Sequence, residues 1–212
     1  MITKIRTRYS CEEAAAVSDG PLTSIHFLKD VTSVVPGQRV LINGASGSLG
    51  SAAVQLAKHF GAHVTGVCST ADIEVVKSLG ADEVIDYTQQ DFTRMSEQWD
   101  VIYDTVGKSS VGRTKRALTS EGVYLSPILS LPLLLHMMAT SIRGRKKAKF
   151  AATGMKAIPE LRELLSEVVQ IINGGKLGAH IDRRFPLDGV SRAHELVDTG
   201  RKRGNIVLAI SP

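Results

Sequence analysis

The stretch VLINGASGSLGSAAVQLAKHF, residues 40–60, sets an apolar run, three glycines and a helix-period run end to end. Val40 to Ile42 read as a buried strand, and Leu49, Ala53, Leu56, Ala57 and Phe60 fall on one face of the helix that follows. Between them Gly44, Gly47 and Gly50 form the pattern GxxGxxG. Its place between strand and helix gives it meaning: glycine permits a tight turn and a close approach of backbone to a pyrophosphate, and the free N–H groups at a helix start favour an anion. The plainer alternative is that these glycines only let helix and sheet pack closely. No Gly-Lys-Ser or Gly-Lys-Thr follows, so this is not a Walker loop.

Outward from this stretch the alternation repeats. After the turn at Pro36–Gln38 come a strand at Arg39–Asn43, the glycine-led helix and a strand at His63–Cys68. A helix near Ile73–Leu79 and strands at Glu83–Asp86 and Asp100–Asp104 follow, then a helix from Ser109, a strand at Gly122–Ser126, an apolar helix near 131–142 and a strand at Lys147–Ala151. Six strands joined by helical crossovers predict a doubly wound, mostly parallel sheet, an α/β domain of Rossmann type. Upstream, Ser10 precedes Glu13 at capping-box spacing, and a second helical piece is expected over Leu22–Leu28. Downstream, Leu161, Leu164, Leu165, Val168 and Ile172 share a helix face, and Gly174 or Gly175 can supply its left-handed cap. Ala179–Phe185, Val190–Val197 and Gly204–Ile210 then read as strand, helix and strand of another unit.

Composition narrows the function classes. With 212 residues, 43% of them hydrophobic, the chain can bury a core, and its length suits one domain or one domain plus part of another. Cys11 and Cys68 are too few for a disulfide framework or a cysteine-based zinc cluster, so a reducing, cytoplasmic compartment is expected. The net charge of +5 gathers in Arg143–Lys149 and Arg201–Arg203, which raises contact with nucleic acid or anionic lipid. Runs this short read more simply as solvated loops or helix ends, and neither partner is expected. The apolar run Ile128–Ile142 falls short of the roughly 20 residues that span a bilayer and contains Pro132 and His136, so no membrane is expected either. The start, MITKIRTRYS, carries charge with no apolar core behind it and does not read as a signal peptide.

The form of a bound dinucleotide is decided at the end of the second strand, where NAD binders commonly place an acid about 20 residues past the glycines. Here that end reads Val67, Cys68, Ser69, Thr70. With no acid there a 2′-phosphate is not repelled and hydroxyls are at hand, which favours NADP(H) over NAD(H). The Arg or Lys partner expected beside a 2′-phosphate is missing, because Ala71 and Asp72 come next and Lys77 lies farther along the helix. No catalytic group declares itself. The Tyr-x-x-x-Lys spacing is absent at Tyr9, Tyr87, Tyr103 and Tyr124, and His26, His59, His63, His136, His180 and His194 are scattered, so no zinc or other metal site is expected.

With the glycine loop, SLGADEVIDY (78–87), WDVIYDTVG (99–107), ALTSEGVYL (117–125) and the run from Gly174 to Leu208, the chain resembles the medium-chain dehydrogenase/reductase superfamily. Within it the likeness is to the zinc-independent, quinone-oxidoreductase-like branch of zinc-type alcohol dehydrogenases, from about Glu12 to Leu208. The resemblance implies that Gly44, Ser46, Gly47, Ser48, Leu49 and Gly50 hold the pyrophosphate and that Ser69 meets a 2′-phosphate. Tyr87 would lie beside the adenine nucleotide, and Thr105, Ser126 and Phe150 would set the nicotinamide end. The family position that is usually basic is Ala71 or Asp72 here, a departure that bears on the choice of cofactor.

Relatives in that superfamily begin with a GroES-like β-barrel, which provides much of the substrate cleft. This sequence starts where the barrel would hand over, and residues 179–212 resemble the segment that returns to it. The expected division is leading helices over 1–30, the dinucleotide-binding domain over 31–178 and a C-terminal remnant of a second domain over 179–212. The implied reaction is hydride transfer between NADPH and a quinone, enone, aldehyde or ketone, with the isolated chain expected to bind cofactor and turn over weakly or not at all. The alternative is a non-catalytic nucleotide-binding or protein-interaction module. The resemblance also implies a homodimer paired through the open sheet edge near Lys147–Ala151, and the apolar helix near 131–142 reads as sheet cover or as part of a hydrophobic cleft.

Overall fold

Strands β1 (Arg39–Asn43), β2 (His63–Cys68), β3 (Glu83–Asp86), β4 (Trp99–Asp104), β5 (Leu118–Leu125) and β6 (Lys147–Lys149) form one sheet in the order β3-β2-β1-β4-β5-β6, parallel at every pairing. These positions come from a computed structural model that describes residues 9–143 and 146–210. Residues 1–8, 144–145 and 211–212 lie outside the described residues, as do the side chains of 139–143, and with them much of the N-terminal stretch and part of the basic run from Arg143 to Lys149.

Period-two alternation builds a core on each face of this sheet. Val40, Ile42, Val101 and Tyr103 point to one face, where they meet Phe27, Leu56, Val168 and Ile172. Leu41 and Ile102 point to the other, among Ile85, Trp99, Leu118, Tyr124 and Leu133. Helices therefore cover both sides: α1 (Cys11–Ala16), α2 (Gly20–Ile25), α3 (Ser48–His59), α4 (Ile73–Ser78), α5 (Val111–Thr114), α6 (Leu131–Arg143) and α7 (Ile158–Asn173). The strand order turns back between β1 and β4, and in open α/β sheets the crevice at such a point, beyond the carboxyl ends of the strands, is where ligands bind.

Local differences from the sequence reading have physical causes. The capping box at Ser10 and Glu13 is present, but the second helix starts at Gly20 rather than Leu22, with Pro21 in its first turn, and runs on as a π-turn over His26–Val31. Thr32 Oγ1 closes that turn by donating to the Phe27 carbonyl at 2.6 Å. The helix expected from Ser109 is only Val111–Thr114, capped by the Ser110 hydroxyl. β5 begins early, at Leu118, because Leu118 pairs with Trp99 across a long-range ladder that the polar residues Thr119 to Glu121 conceal in the sequence. At the end of α7 it is Gly175, with φ +68, that takes the left-handed position.

Strands β7 (Ile181–Pro186) and β8 (Asn205–Ala209) pair in parallel with helix α8 (Val190–Asp198) between them, a small separate βαβ unit. It is tied to the main sheet by a bridge between Gly47 and Gly204 and by Gln55, whose side chain exchanges two hydrogen bonds with the Gly178 backbone. Arg184 reaches Glu12 at 2.5 Å.

Candidate dinucleotide site

The glycine loop is fixed by its own backbone. The amides of Gly44 and Ala45 both donate to the Val67 carbonyl at 3.0 Å, and the Gly47 amide donates to the Gly44 carbonyl at 3.0 Å. Gly44 has φ +84, and a Cβ there would lie 2.2 Å from Val106 Cγ2. A Cβ on Gly50 would lie 2.0 Å from the Gly44 carbonyl oxygen, so this position admits only glycine. Gly47 is different: it caps α3 in an extended conformation, and a Cβ there would come no nearer than 3.4 Å to its closest neighbour, the Gly44 carbonyl oxygen. The first amides of α3 have no intrahelical acceptor, so the loop presents N–H groups and the positive end of a helix dipole to whatever lies above it.

What lies above it is a cavity of about 700 Å³, a volume within the range of small-molecule sites. Asn43, Gly44, Ser46 and Gly47 form its floor, Cys68 and Ser69 one wall, Tyr87 and Phe92 another, and Gly200 to Arg203 a third. The fourth side is the turn after β4, whose conformation Asp104 dictates. This fully buried carboxylate accepts from the amides of Val106, Gly107 and Ser109 at 3.2, 2.9 and 2.8 Å, from Asn43 Nδ2 at 2.9 Å and from the Tyr124 hydroxyl at 2.8 Å.

Asp72 changes the reading of the β2 tip. A single 3₁₀ turn, Thr70–Asp72, brings its carboxylate back to the strand end, where Oδ2 accepts from Ser69 Oγ at 2.8 Å and from Ser46 Oγ at 3.2 Å. An acid therefore does stand in this corner, three residues after the position where the sequence reading looked for one. The missing basic partner is also present: Arg203 Nε lies 2.7 Å from Asp72 Oδ1. The contact is one of charge, because the N–H is not aimed along it and Oδ1 is buried without an aligned donor. The run Arg201–Arg203, which the sequence alone leaves as a solvated loop, is thus a wall of the cavity.

Burial tunes the neighbouring groups. The Cys68 thiol is pushed up to about 12 by burial, with the Asp72 and Asp86 carboxylates adding to the effect. Burial pulls the Lys202 ammonium down against the Asp182 charge, and its Nζ donates to the Gly204 carbonyl at 2.9 Å. His180 is likewise pulled down by burial, while Asp182 and Asp72 work the other way, and its Nε2 is buried without a partner.

Of the residues singled out from sequence, Gly44, Ser46, Gly47, Ser69 and Tyr87 line the cavity. The Ser48 hydroxyl donates to Asn205 Oδ1, Leu49 packs against the core and its carbonyl accepts from Ser24, and Gly50 is buried under the loop. Thr105 turns its hydroxyl onto the Asn43 carbonyl at 2.7 Å. Ser126 is buried beside a separate cavity of about 30 Å³ that Tyr124 and Ser130 also line, and Phe150 packs against the apolar cluster holding Leu133 and Ala148. Asp72, which the sequence marks as a departure from a usually basic family position, also lines the cavity, as do Val106, Arg113 and Arg201 to Arg203, which sequence reasoning does not place there. Only the last three carried a signal, as a basic run followed by glycine.

The sequence profile of the family described as zinc-binding dehydrogenase matches residues 79–208, more than half of the chain. The mouse NAD(P)H oxidoreductase RTN4IP1, mitochondrial, is 33% identical over 191 residues, covering 82% of this chain and 48% of that protein. The trans-enoyl reductase pgmF of Aspergillus terreus is 31% identical over 216 residues, covering 93% of this chain and 59% of that protein. The quinone oxidoreductase of Coxiella burnetii superposes with a TM-score of 0.83 at 27% identity, over 99% of this chain and 64% of that one. The chain thus spans about half the length of the curated relatives it matches. The family's name implies zinc, yet among the described residues no three His, Cys, Asp or Glu side chains are grouped to hold a metal ion. No helix among them is long and apolar enough to cross a membrane. In its sheet order, its glycine loop and its sequence, the chain belongs to the zinc-binding dehydrogenase family, among the quinone-oxidoreductase-like medium-chain dehydrogenases/reductases.

Proposed function

We propose that this chain is the dinucleotide-binding part of an NAD(P)H-dependent oxidoreductase and that NADP(H) is the preferred form. The observation that carries the reading is a single cavity walled by the glycine loop on one side and by Arg201, Lys202 and Arg203 on the other. Its donors suit an anionic ligand that is phosphorylated at more than one place. The nicotinamide ring supplies hydride chemistry when bound. The chain's own residues bind and orient: the loop amides at Ser48 and Leu49 take the pyrophosphate, Ser69 and Arg203 face a 2′-phosphate, and Tyr87 flanks the adenine. Thr105, Ser126 and Phe150, at the ends of β4, β5 and β6, hold the nicotinamide end.

The hydride acceptor in this reading is a quinone, enone, aldehyde or ketone, in keeping with the names of the relatives. The 212 residues alone bind the nucleotide and turn over weakly or not at all, because the large cavity serves the adenosine and phosphate end while Thr105, Ser126 and Phe150 lie outside it. Residues 31–178 act as the binding domain, and residues 179–212, a remnant of a second domain, close its cavity with Gly200 to Arg203. Two free thiols suit a reducing compartment such as the cytoplasm. β6 ends the sheet order, and its outer edge is where a second copy pairs. A dimer mass by light scattering at micromolar concentration is expected, and a monomer mass removes that part of the reading.

Titration calorimetry of the chain with NADPH and NADH tests the whole. Saturable heat with NADPH, and weaker binding of NADH, is the expected result. Absence of heat with both overturns the reading.

A further inference from the structure

Asp72 stands at the tip of β2, and it is 7% exposed. One carboxylate oxygen takes the hydroxyls of Ser69 and Ser46, and the other sits against Arg203 without an aligned hydrogen bond. The two groups best suited to a 2′-phosphate, the Ser69 hydroxyl and the Arg203 guanidinium, are therefore both engaged by a side chain of like charge to that phosphate. The Lys202 ammonium, also on the cavity wall, donates to the Gly204 carbonyl and not to Asp72.

We propose that Asp72 is the residue that sets how strongly the site distinguishes a dinucleotide with a 2′-phosphate from one with a 2′-hydroxyl. The inference rests on the dinucleotide reading above. A 2′-phosphate must draw Ser69 and Arg203 away from Asp72 and then share a poorly hydrated corner with its negative charge. A 2′-hydroxyl brings no charge into the corner, and a carboxylate is the acceptor such a hydroxyl uses in dinucleotide-binding folds. Asp72 thus restrains a preference that Arg201 to Arg203 would otherwise make steep. An uncharged side chain in its place keeps the corner polar, leaves Arg203 without this counter-ion and frees its guanidinium for the ligand.

Calorimetry with 2′,5′-ADP and with ADP reads this corner without involving the nicotinamide or any turnover. The Asp72→Asn chain keeps an oxygen acceptor for Ser69 and Ser46 and removes only the charge. It is expected to raise the 2′,5′-ADP to ADP affinity ratio at least about tenfold, since a like-charge contact at about 4 Å is worth about fivefold in bulk water and several hundredfold at an effective dielectric near 20. NADPH and NADH should shift in the same ratio. Asp72→Ser, smaller and also uncharged, carries the same test if Asp72→Asn impairs folding. An unchanged ratio overturns the proposal, and so does a fall in 2′,5′-ADP affinity, which makes Asp72 a positioning aid for Arg203 instead. If the unaltered chain binds none of the four nucleotides, the dinucleotide reading fails and this proposal with it. If it binds them and the ratio does not move, only the role of Asp72 falls.

Discussion

Tyr124 donates its hydroxyl to Asp104 at 2.8 Å, and both groups are closed off from solvent. Burial pushes the Tyr124 phenol up, and the Asp104 charge and their shared hydrogen bond push it further, so the phenol stays protonated and remains a donor. Through Asp104 this pair fixes the turn that walls the cavity. Tyr124→Phe is expected to cost about 1.5–3 kcal/mol, the range for a hydrogen bond to a charged group, read from urea unfolding midpoints. Asp104→Ala should cost more, since it strands the Asn43 side chain and the amides of Val106, Gly107 and Ser109 at once.

The loop glycines are not equivalent. Gly50→Ala forces a Cβ to within 2.0 Å of a backbone carbonyl and should cost at least about 2 kcal/mol and abolish nucleotide binding. Gly47→Ala has its nearest neighbour at 3.4 Å and should fold, with a capping loss below about 1 kcal/mol. Parallel melting and calorimetry of the two variants separate shape from stability. Equal losses would sink the distinction.

Cys68 should be inert in the folded chain, since burial and two nearby carboxylates hold its thiol near 12. Brief iodoacetamide treatment at pH 8 followed by mass spectrometry is expected to label exposed Cys11 alone, with Cys68 labelled only after denaturation. Rapid native labelling of Cys68 contradicts the packing described here.

Asp82 ties the start of β2 to the turn before β3. Burial works to raise its carboxyl, but the Lys58 ammonium at 2.8 Å, the Val64 amide at 2.7 Å and the charges of Lys58 and His63 outweigh that and hold it below the usual value of 3.8. A carboxyl lowered on folding stabilises above its unfolded value and loses that contribution as pH falls through the folded one. Urea midpoints of the unaltered chain should therefore drop below about pH 4, and Asp82→Asn should be less stable at pH 7 with a shallower acid slope. Parallel slopes for the two proteins would remove Asp82 from the account.

The strands and the glycine loop were legible because their signals are local. Val40, Leu41 and Ile42 alternate between two cores within three residues, and the glycines stand where strand becomes helix. The corner beyond β2 was not legible, for two reasons. Asp72 returns to the strand end through a 3₁₀ turn too short to show any periodicity. Arg203 belongs to a unit remote in the sequence, and no local pattern states which loop it faces. The early start of β5 was hidden likewise, since only the ladder to β4 reveals that Leu118 is a strand residue.

The bridge from Gly47 to Gly204, with Ser48 bonded to Asn205 beside it, has a bearing on how the molecule assembles. The anion corner joins the first βα turn of the sheet to residues 157 positions away, and contacts of such sequence separation carry a heavy loop-closure cost and close late in folding. Adenine-nucleotide affinity should accordingly appear after the bulk of the helical signal in refolding. Ligand capture then marks the moment at which the first βα turn and the strand β8 have found each other.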